Sequence, residues 1–181
     1  TRSANSSVTD SAAAAPAFAT GHKVNNGVIS MSIPGNGADL ETMLVYFKKR
    51  GKRTGLVTTS YLTDATPAAF GAHETRRNNH DAIASDYFSA SRPYLLLGGG
   101  GQGMTAARAW SAGYRVVTNL AQLAAISTAS TSPVCGMFGN GSMPYEYDGM
   151  AGLPHLSGMT ARALALLENS AGGFFLLVEG G

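Results

Sequence analysis

Thr54-Gly55-Leu56-Val57-Thr58-Thr59-Ser60, followed by Asp64-Ala65-Thr66-Pro67-Ala68-Ala69-Phe70, decides how the chain folds. The first run reads as a buried strand. Asp64 to Pro67 reads as a loop, with Thr66 as cap and Pro67 at the first helical position of a helix running to about Arg77. A buried strand that passes into a helix is the unit from which parallel sheets are built.

Toward the C-terminus the unit repeats. A helix is expected over Asp81 to Ser89, a strand over Tyr94-Leu95-Leu96-Leu97 ending in Gly98-Gly99-Gly100-Gly101, and a helix over Met104 to Ser111. Tyr114 to Val117 is the next strand, Leu120 to Ile126 a short helix, and Val134 to Phe138 another strand. Gly139 to Pro154, rich in Gly, Pro and Tyr, reads as a long ordered loop. Ser157 caps a helix reaching Asn169, with Met159, Ala163, Leu166 and Leu167 as its apolar face, and Gly172-Gly173 stops it. The last strand, Phe174 to Val178, delivers Glu179 at its tip.

Toward the N-terminus, Asp39 is read as the cap of a helix over Leu40 to Arg50, with Leu40, Met43, Leu44 and Phe47 on one side. Val28 to Ile33 alternates as a short strand behind the Asn26-Gly27 turn. Strands and helices therefore alternate, and the strands are continuous apolar runs. That predicts an α/β fold: a three-layer sandwich around a mainly parallel central sheet, with residues 1–181 as one domain. In such sheets ligands bind beyond the carboxyl ends of the strands, where Asp64, Thr66 and Glu179 fall.

The chain has 181 residues, 44% of them hydrophobic and 13% charged, enough for one sizeable core. A net charge of +2 does not argue for a nucleic-acid partner, and no apolar run approaches the roughly 20 residues that span a membrane. Lys48, Lys49, Arg50, Lys52 and Arg53 cluster at a helix end, where cations complement the helix dipole and need no partner. Cys135, the single cysteine, reads as a small core residue.

Chemistry first suggests itself at Val8-Thr9-Asp10-Ser11-Ala12-Ala13-Ala14-Ala15. Alanine is the best helix former and Asp or Ser a good cap, so a helix begins at Ser11. Its unpaired N–H groups and positive dipole end would hold a phosphate oxygen beside the hydroxyl. Pro16 falls inside that helix, where its missing N–H and ring clash cost about 3 kcal/mol unless the helix kinks.

Several separated stretches together resemble the alkaline phosphatases, metal-dependent phosphomonoesterases. They are Thr9-Asp10-Ser11-Ala12-Ala13 with Ala19-Thr20-Gly21; Asn26-Gly27; Thr54 to Ser60; Asp64 to Phe70 with Ala72-His73 and Arg77; Leu96 to Gly100; and Gly173 to Gly181. Their order and spacing span nearly the whole chain. The resemblance implies Ser11 as a nucleophile that becomes phosphoserine and whose oxygen touches a zinc ion. It implies Arg77 as the phosphate-binding guanidinium, Asp10 as the acid that orients Arg77, and Asp64, Thr66 and Glu179 as magnesium ligands. Two zinc ions and one magnesium, a homodimer, small phosphate monoesters as substrates, and a periplasmic or secreted location belong to the same implication.

The residue types suit that chemistry. Serine is a poor nucleophile unaided, a planar guanidinium holds two phosphoryl oxygens at once, and magnesium prefers hard oxygen ligands. The remaining zinc ligands of the family are absent. The resemblance therefore implies an internal segment of the catalytic domain, incomplete at both ends, inactive alone and poorly soluble or molten when isolated. His22, His73, His80 and His155 are scattered without metal-ligand spacing and read as structural, the alternative for His73 being to share a face with Arg77 or to support the site from behind its contacting residues.

Two alternatives stand beside this reading. Gly98-Gly99-Gly100-Gly101-Gln102-Gly103 fits the G-x-G-x-x-G pattern of a dinucleotide-binding module, although Val116 to Ala125 lacks the acid expected for the ribose. A sulfatase-like or phosphodiesterase specificity on the same scaffold is the other.

Overall fold

The computed structural model describes residues 2–181. Five strands form one sheet: β1 (Arg53–Tyr61), β2 (Leu95–Gly100), β3 (Arg115–Val117), β4 (Val134–Asn140) and β5 (Phe174–Glu179). They lie in the order β3-β4-β2-β1-β5, and every pairing is parallel. The expected mainly parallel α/β sheet is what forms.

Side-chain alternation divides the sheet between two helical layers. Leu56, Leu96 and Cys135 face α1 (Ser11–Thr20), α3 (Ala65–Gly71), α4 (His80–Asp86) and α5 (Ala106–Ser111). Val57, Leu95, Leu97 and Val134 face α6 (Leu120–Ala124) and α7 (Leu156–Leu167). The remaining helix, α2 (Met43–Lys48), buries Leu44 in the first of these cores, with Val45 packed against it. β1 and β2 are covered on both faces, which is why their sequences lack polar alternation.

Asp10 caps α1, its side chain accepting from the Ala13 N–H, so Ser11 is the first helical residue as expected. Pro16 does not end the helix, which continues to Thr20. Its carbonyl accepts from Thr20 Oγ1 at 2.8 Å, and Gly21, at φ 77°, closes the helix by donating to the Ala17 carbonyl.

Several boundaries depart from the sequence reading. The helix after β1 begins at Ala65 with Asp64, not Thr66, as its cap, and it stops at Gly71 instead of reaching Arg77. Ala72 is extended, the His73 N–H goes to Asp86 Oδ2 at 2.8 Å, and Glu74 pairs with the Ile29 backbone. Val28 to Ile33 makes only isolated bridges, Ile29 to Glu74 and Met31 to Asp39. Asp39 therefore lies in extended backbone, the Leu40 N–H goes to the Ser30 carbonyl, and Thr42 caps α2. The helix expected to start at Asp81 starts one residue earlier, and its last turn widens into a π segment at Tyr87–Ser91. The residue at the cap position of α7 is His155, not Ser157.

The clustered cations are used within the chain. Lys48 donates to the Ser91 carbonyl at 2.6 Å, Lys49 pairs with Glu41 at 2.7 Å, Arg50 covers the Tyr46 ring, Lys52 donates to the Gly172 carbonyl, and Arg53 donates to the Leu166 carbonyl. Cys135 is fully buried, and that burial pushes its thiol up to about 12.

Candidate active site

Because every strand is parallel, the carboxyl ends of β1 and β5 open on the same edge of the sheet. The segment after α3 turns back to that edge, and the Arg77 N–H donates to the Gly27 carbonyl at 2.7 Å. A straight helix could not have delivered Arg77 there; an extended return strapped to residues 27–29 does.

Arg77 is the hub. Its Nη1 donates to Ser11 Oγ at 2.7 Å and its Nη2 to Asp64 Oδ1 at 2.8 Å. Asp10 Oδ2 stands farther off, 3.7 Å from Nη1. Asp10 is held instead by the backbone: Oδ1 accepts from the Ala13 N–H at 2.8 Å and Oδ2 from the Gly27 N–H at 3.0 Å. Asp10, expected to orient Arg77, is thus fixed by two backbone donors with its carboxylate within ion-pair distance of the guanidinium. Asp64, expected as a metal ligand, makes the direct ion pair.

Asp64 is gripped on both oxygens. Oδ1 accepts from the Ala65 N–H at 2.7 Å as well as from Arg77, and Oδ2 accepts from Ser60 Oγ at 2.7 Å. Burial raises its carboxyl, but the Ser60 and Ala65 hydrogen bonds and the Arg77 guanidinium together hold it below the usual range. Tyr61 adjoins the same pair. Burial first, and then the Asp64 carboxylate beside it, raises its phenol. The His80 ring stands edge-on to Tyr61 at 5.3 Å.

Glu179 ends β5 directly beside Thr58 of β1, whose Oγ1 donates to Glu179 Oε2 at 2.7 Å. Thr66 lies one residue inside α3, half-buried. Ser11, Arg77 and Asp64 are therefore in direct contact, while Glu179 joins them through Thr58 and Ser60. The sequence reading passed over Thr58, Ser60 and Tyr61; the hydroxyl spacing at 58 and 60, two residues apart on one strand face, was the available signal.

The two carboxylates of Asp64 and Glu179, each held by a hydroxyl, and the Thr66 hydroxyl would offer only oxygen donors, the type magnesium prefers. Zinc is not matched. Among the described residues no three of His, Cys, Asp and Glu gather as a metal group. His22 is exposed, His73 Nε2 lies 2.8 Å from the Leu40 carbonyl, and His155 pairs with Glu146.

The glycine run at residues 98–103 offers no phosphate cradle. Gly98, Gly99 and Gly100 lie within β2, and the next helix starts only at Ala106 behind its Thr105 cap. A Cβ on Gly99 would collide with the Gly141 carbonyl oxygen, and one on Gly100 would sit 2.8 Å from the Gly139 carbonyl oxygen. These positions are glycine because the end of β4 and the loop after it cross them at backbone contact, contrary to the dinucleotide reading.

No helix among the described residues is long and apolar enough to cross a membrane. Comparison with known proteins agrees with the geometry. The family described as alkaline phosphatase matches residues 1–181. Alkaline phosphatase 3 of Bacillus subtilis is 38% identical over 96% of this chain and 39% of its own length. The cold-active alkaline phosphatase of the psychrophile Shewanella sp. superposes with a TM-score of 0.89 at 38% identity, covering 99% of this chain and 44% of that one. A variant of the alkaline phosphatase from the Antarctic bacterium TAB5, with Mg bound in its M3 site, gives 0.82 at 25% identity over 99% and 52%. The chain thus spans about two fifths of the length of the Bacillus relative.

Proposed function

The chain belongs to the alkaline phosphatase family, and from that premise we infer that the protein hydrolyses phosphate monoesters through Ser11, Arg77 and an oxygen-lined cation site. The observation that carries this reading is the single guanidinium that reaches both Ser11 Oγ and Asp64 Oδ1 at the head of α1.

In the proposed reaction, Arg77 leaves its contact with the serine oxygen and takes two phosphoryl oxygens in its planar fork. The N–H groups at the start of α1 that the Asp10 cap does not take would face the same anion. Ser11 Oγ attacks phosphorus, its proton passes to solvent, and the bond from phosphorus to the alcohol oxygen breaks with its electron pair staying on the alcohol, which takes a proton. Water then attacks the phosphoserine. The phosphorus–Oγ bond breaks, Ser11 regains a proton, and inorganic phosphate departs.

Magnesium held by Asp64, Thr66 and Glu179 would supply positive charge against the developing negative charge. Asp64 keeps Arg77 aimed, and Asp10 holds both the start of α1 and the Gly27 backbone. A zinc requirement, a homodimer and a periplasmic or secreted setting complete the proposal for the whole protein.

The test is hydrolysis of p-nitrophenyl phosphate at alkaline pH by the full-length protein and its Ser11→Ala variant. The wild type turns over and the variant does not. Equal turnover by the two would remove Ser11 from the reaction.

A further inference from the structure

Thr58 and Ser60 sit on the same face of β1, buried at 0% and 6% exposure. Each hydroxyl is committed to one of the two acids at the sheet edge. Thr58 Oγ1 donates to Glu179 Oε2 at 2.7 Å, and Ser60 Oγ donates to Asp64 Oδ2 at 2.7 Å. The two residues are themselves linked, because the Ser60 backbone N–H donates to Thr58 Oγ1 at 3.0 Å. Ser142, from the loop after β4, brings its Oγ to 3.4 Å from Ser60 Oγ. Since the Ser60 proton is given to Asp64, Ser142 is the donor there.

The pairing of β1 with β2 is irregular over the same residues, while its pairing with β5 continues to Thr58. The register between β1 and β2 shifts between Val57 and Tyr61, where the Ser60 amide takes a side-chain acceptor. A strand that needed only stability would keep its ladder. Irregularities of this kind re-aim side chains beside active sites.

We propose that Thr58 and Ser60 are positioning residues for the cation site, a hydroxyl brace that fixes the Glu179 and Asp64 carboxylates relative to each other before the metal arrives. The brace rests on the reading of Asp64, Thr66 and Glu179 as magnesium ligands. It assigns the same work to two residues that touch neither metal nor substrate. A carboxylate held by a hydroxyl has one oxygen and its rotamer fixed, so the metal need not order it on binding. Partners of this type commonly change metal affinity by 10–100-fold when removed.

The experiment is magnesium titration of the metal-stripped full-length protein by calorimetry, without any turnover assay, on the wild type, Thr58→Val, Ser60→Ala and Thr58→Ser. Valine keeps the shape of threonine and loses only the hydroxyl, and unfolding midpoints in the absence of metal check that each variant is folded. Thr58→Val and Ser60→Ala are expected to bind magnesium about 10–100-fold more weakly. Thr58→Ser, which restores the hydroxyl, is expected to stay within about threefold of wild type. Affinities for Thr58→Val and Ser60→Ala equal to a magnesium-binding wild type would overturn the brace and leave the ligand reading standing. A Thr58→Ser loss as large as that of Thr58→Val would assign the effect to packing and likewise overturn it. A wild type that takes up no magnesium would overturn the ligand reading and the brace together.

Discussion

Replacing Arg77 with Ala is the perturbation whose consequence follows most directly from the geometry. The guanidinium makes two charge-assisted hydrogen bonds, 2.7 Å to Ser11 Oγ and 2.8 Å to Asp64 Oδ1, and its side chain is 29% exposed. In the phosphate complex the same fork would engage two phosphoryl oxygens. A hydrogen bond to a charged group contributes about 1.5–3 kcal/mol, and partial exposure argues for the lower part of that range for each bond. Losing both should cost about 2–4 kcal/mol, which is about 30- to 1000-fold in phosphate affinity. Asp64 would keep the Ala65 N–H and Ser60 Oγ, so its position should survive. Competitive inhibition by inorganic phosphate is the assay, with magnesium uptake measured in parallel. Phosphate inhibition should weaken by about that factor while magnesium affinity changes less than about threefold. Arg77→Lys should recover only part of the loss, because an ammonium is a point charge. Inhibition unchanged within twofold in Arg77→Ala would refute the assignment.

Further outcomes are expected at Cys135, at Gly71 and at the glycine run. Cys135, whose thiol is raised to about 12 by burial, should resist iodoacetamide at pH 8 until the protein is unfolded. Because its folded value lies above the unfolded one, its contribution is complete below about pH 8.5 and is lost as pH rises toward 12; the stability advantage of wild type over Cys135→Ala, read as a urea midpoint, should shrink across that window. Gly71→Ala would place a Cβ 2.6 Å from Tyr87 Cε1 in the core, so an overpacking loss of about 1–3 kcal/mol should lower the unfolding midpoint. NAD should give no thermal shift, and Gly99→Ala should destabilise the protein whether or not NAD is present, because its Cβ meets the Gly141 backbone.

Much of the architecture was legible because burial writes itself into the strands. Leu56-Val57 and Leu95-Leu96-Leu97 send alternate side chains into two different helical layers, so both faces must be apolar. The misread segments are those whose backbone partners lie far away in sequence. Nothing local in Ala72 to Arg77 says that Glu74 will pair with Ile29 or that Arg77 will hang from Gly27, and periodicity alone favours a continued helix. Asp39 looked like a cap by type, but its backbone bridges Met31 and leaves capping to Thr42. At the site, Ser11 and Arg77 could be named from resemblance and do touch. Thr58 and Ser60 offered only their spacing on one strand face, which β-propensity explains equally well until Glu179 is seen beside Thr58.

The central claim is that the Ser11 oxygen becomes covalently phosphorylated. Brief exposure of the full-length protein to a labelled phosphate monoester, followed by rapid quenching and peptide mass mapping, addresses it directly. Label should reside on the peptide containing Asp10-Ser11-Ala12, at Ser11, and should vanish in Ser11→Ala. Label trapped equally in the Ser11→Ala variant, or on another residue of the wild type, would contradict the account.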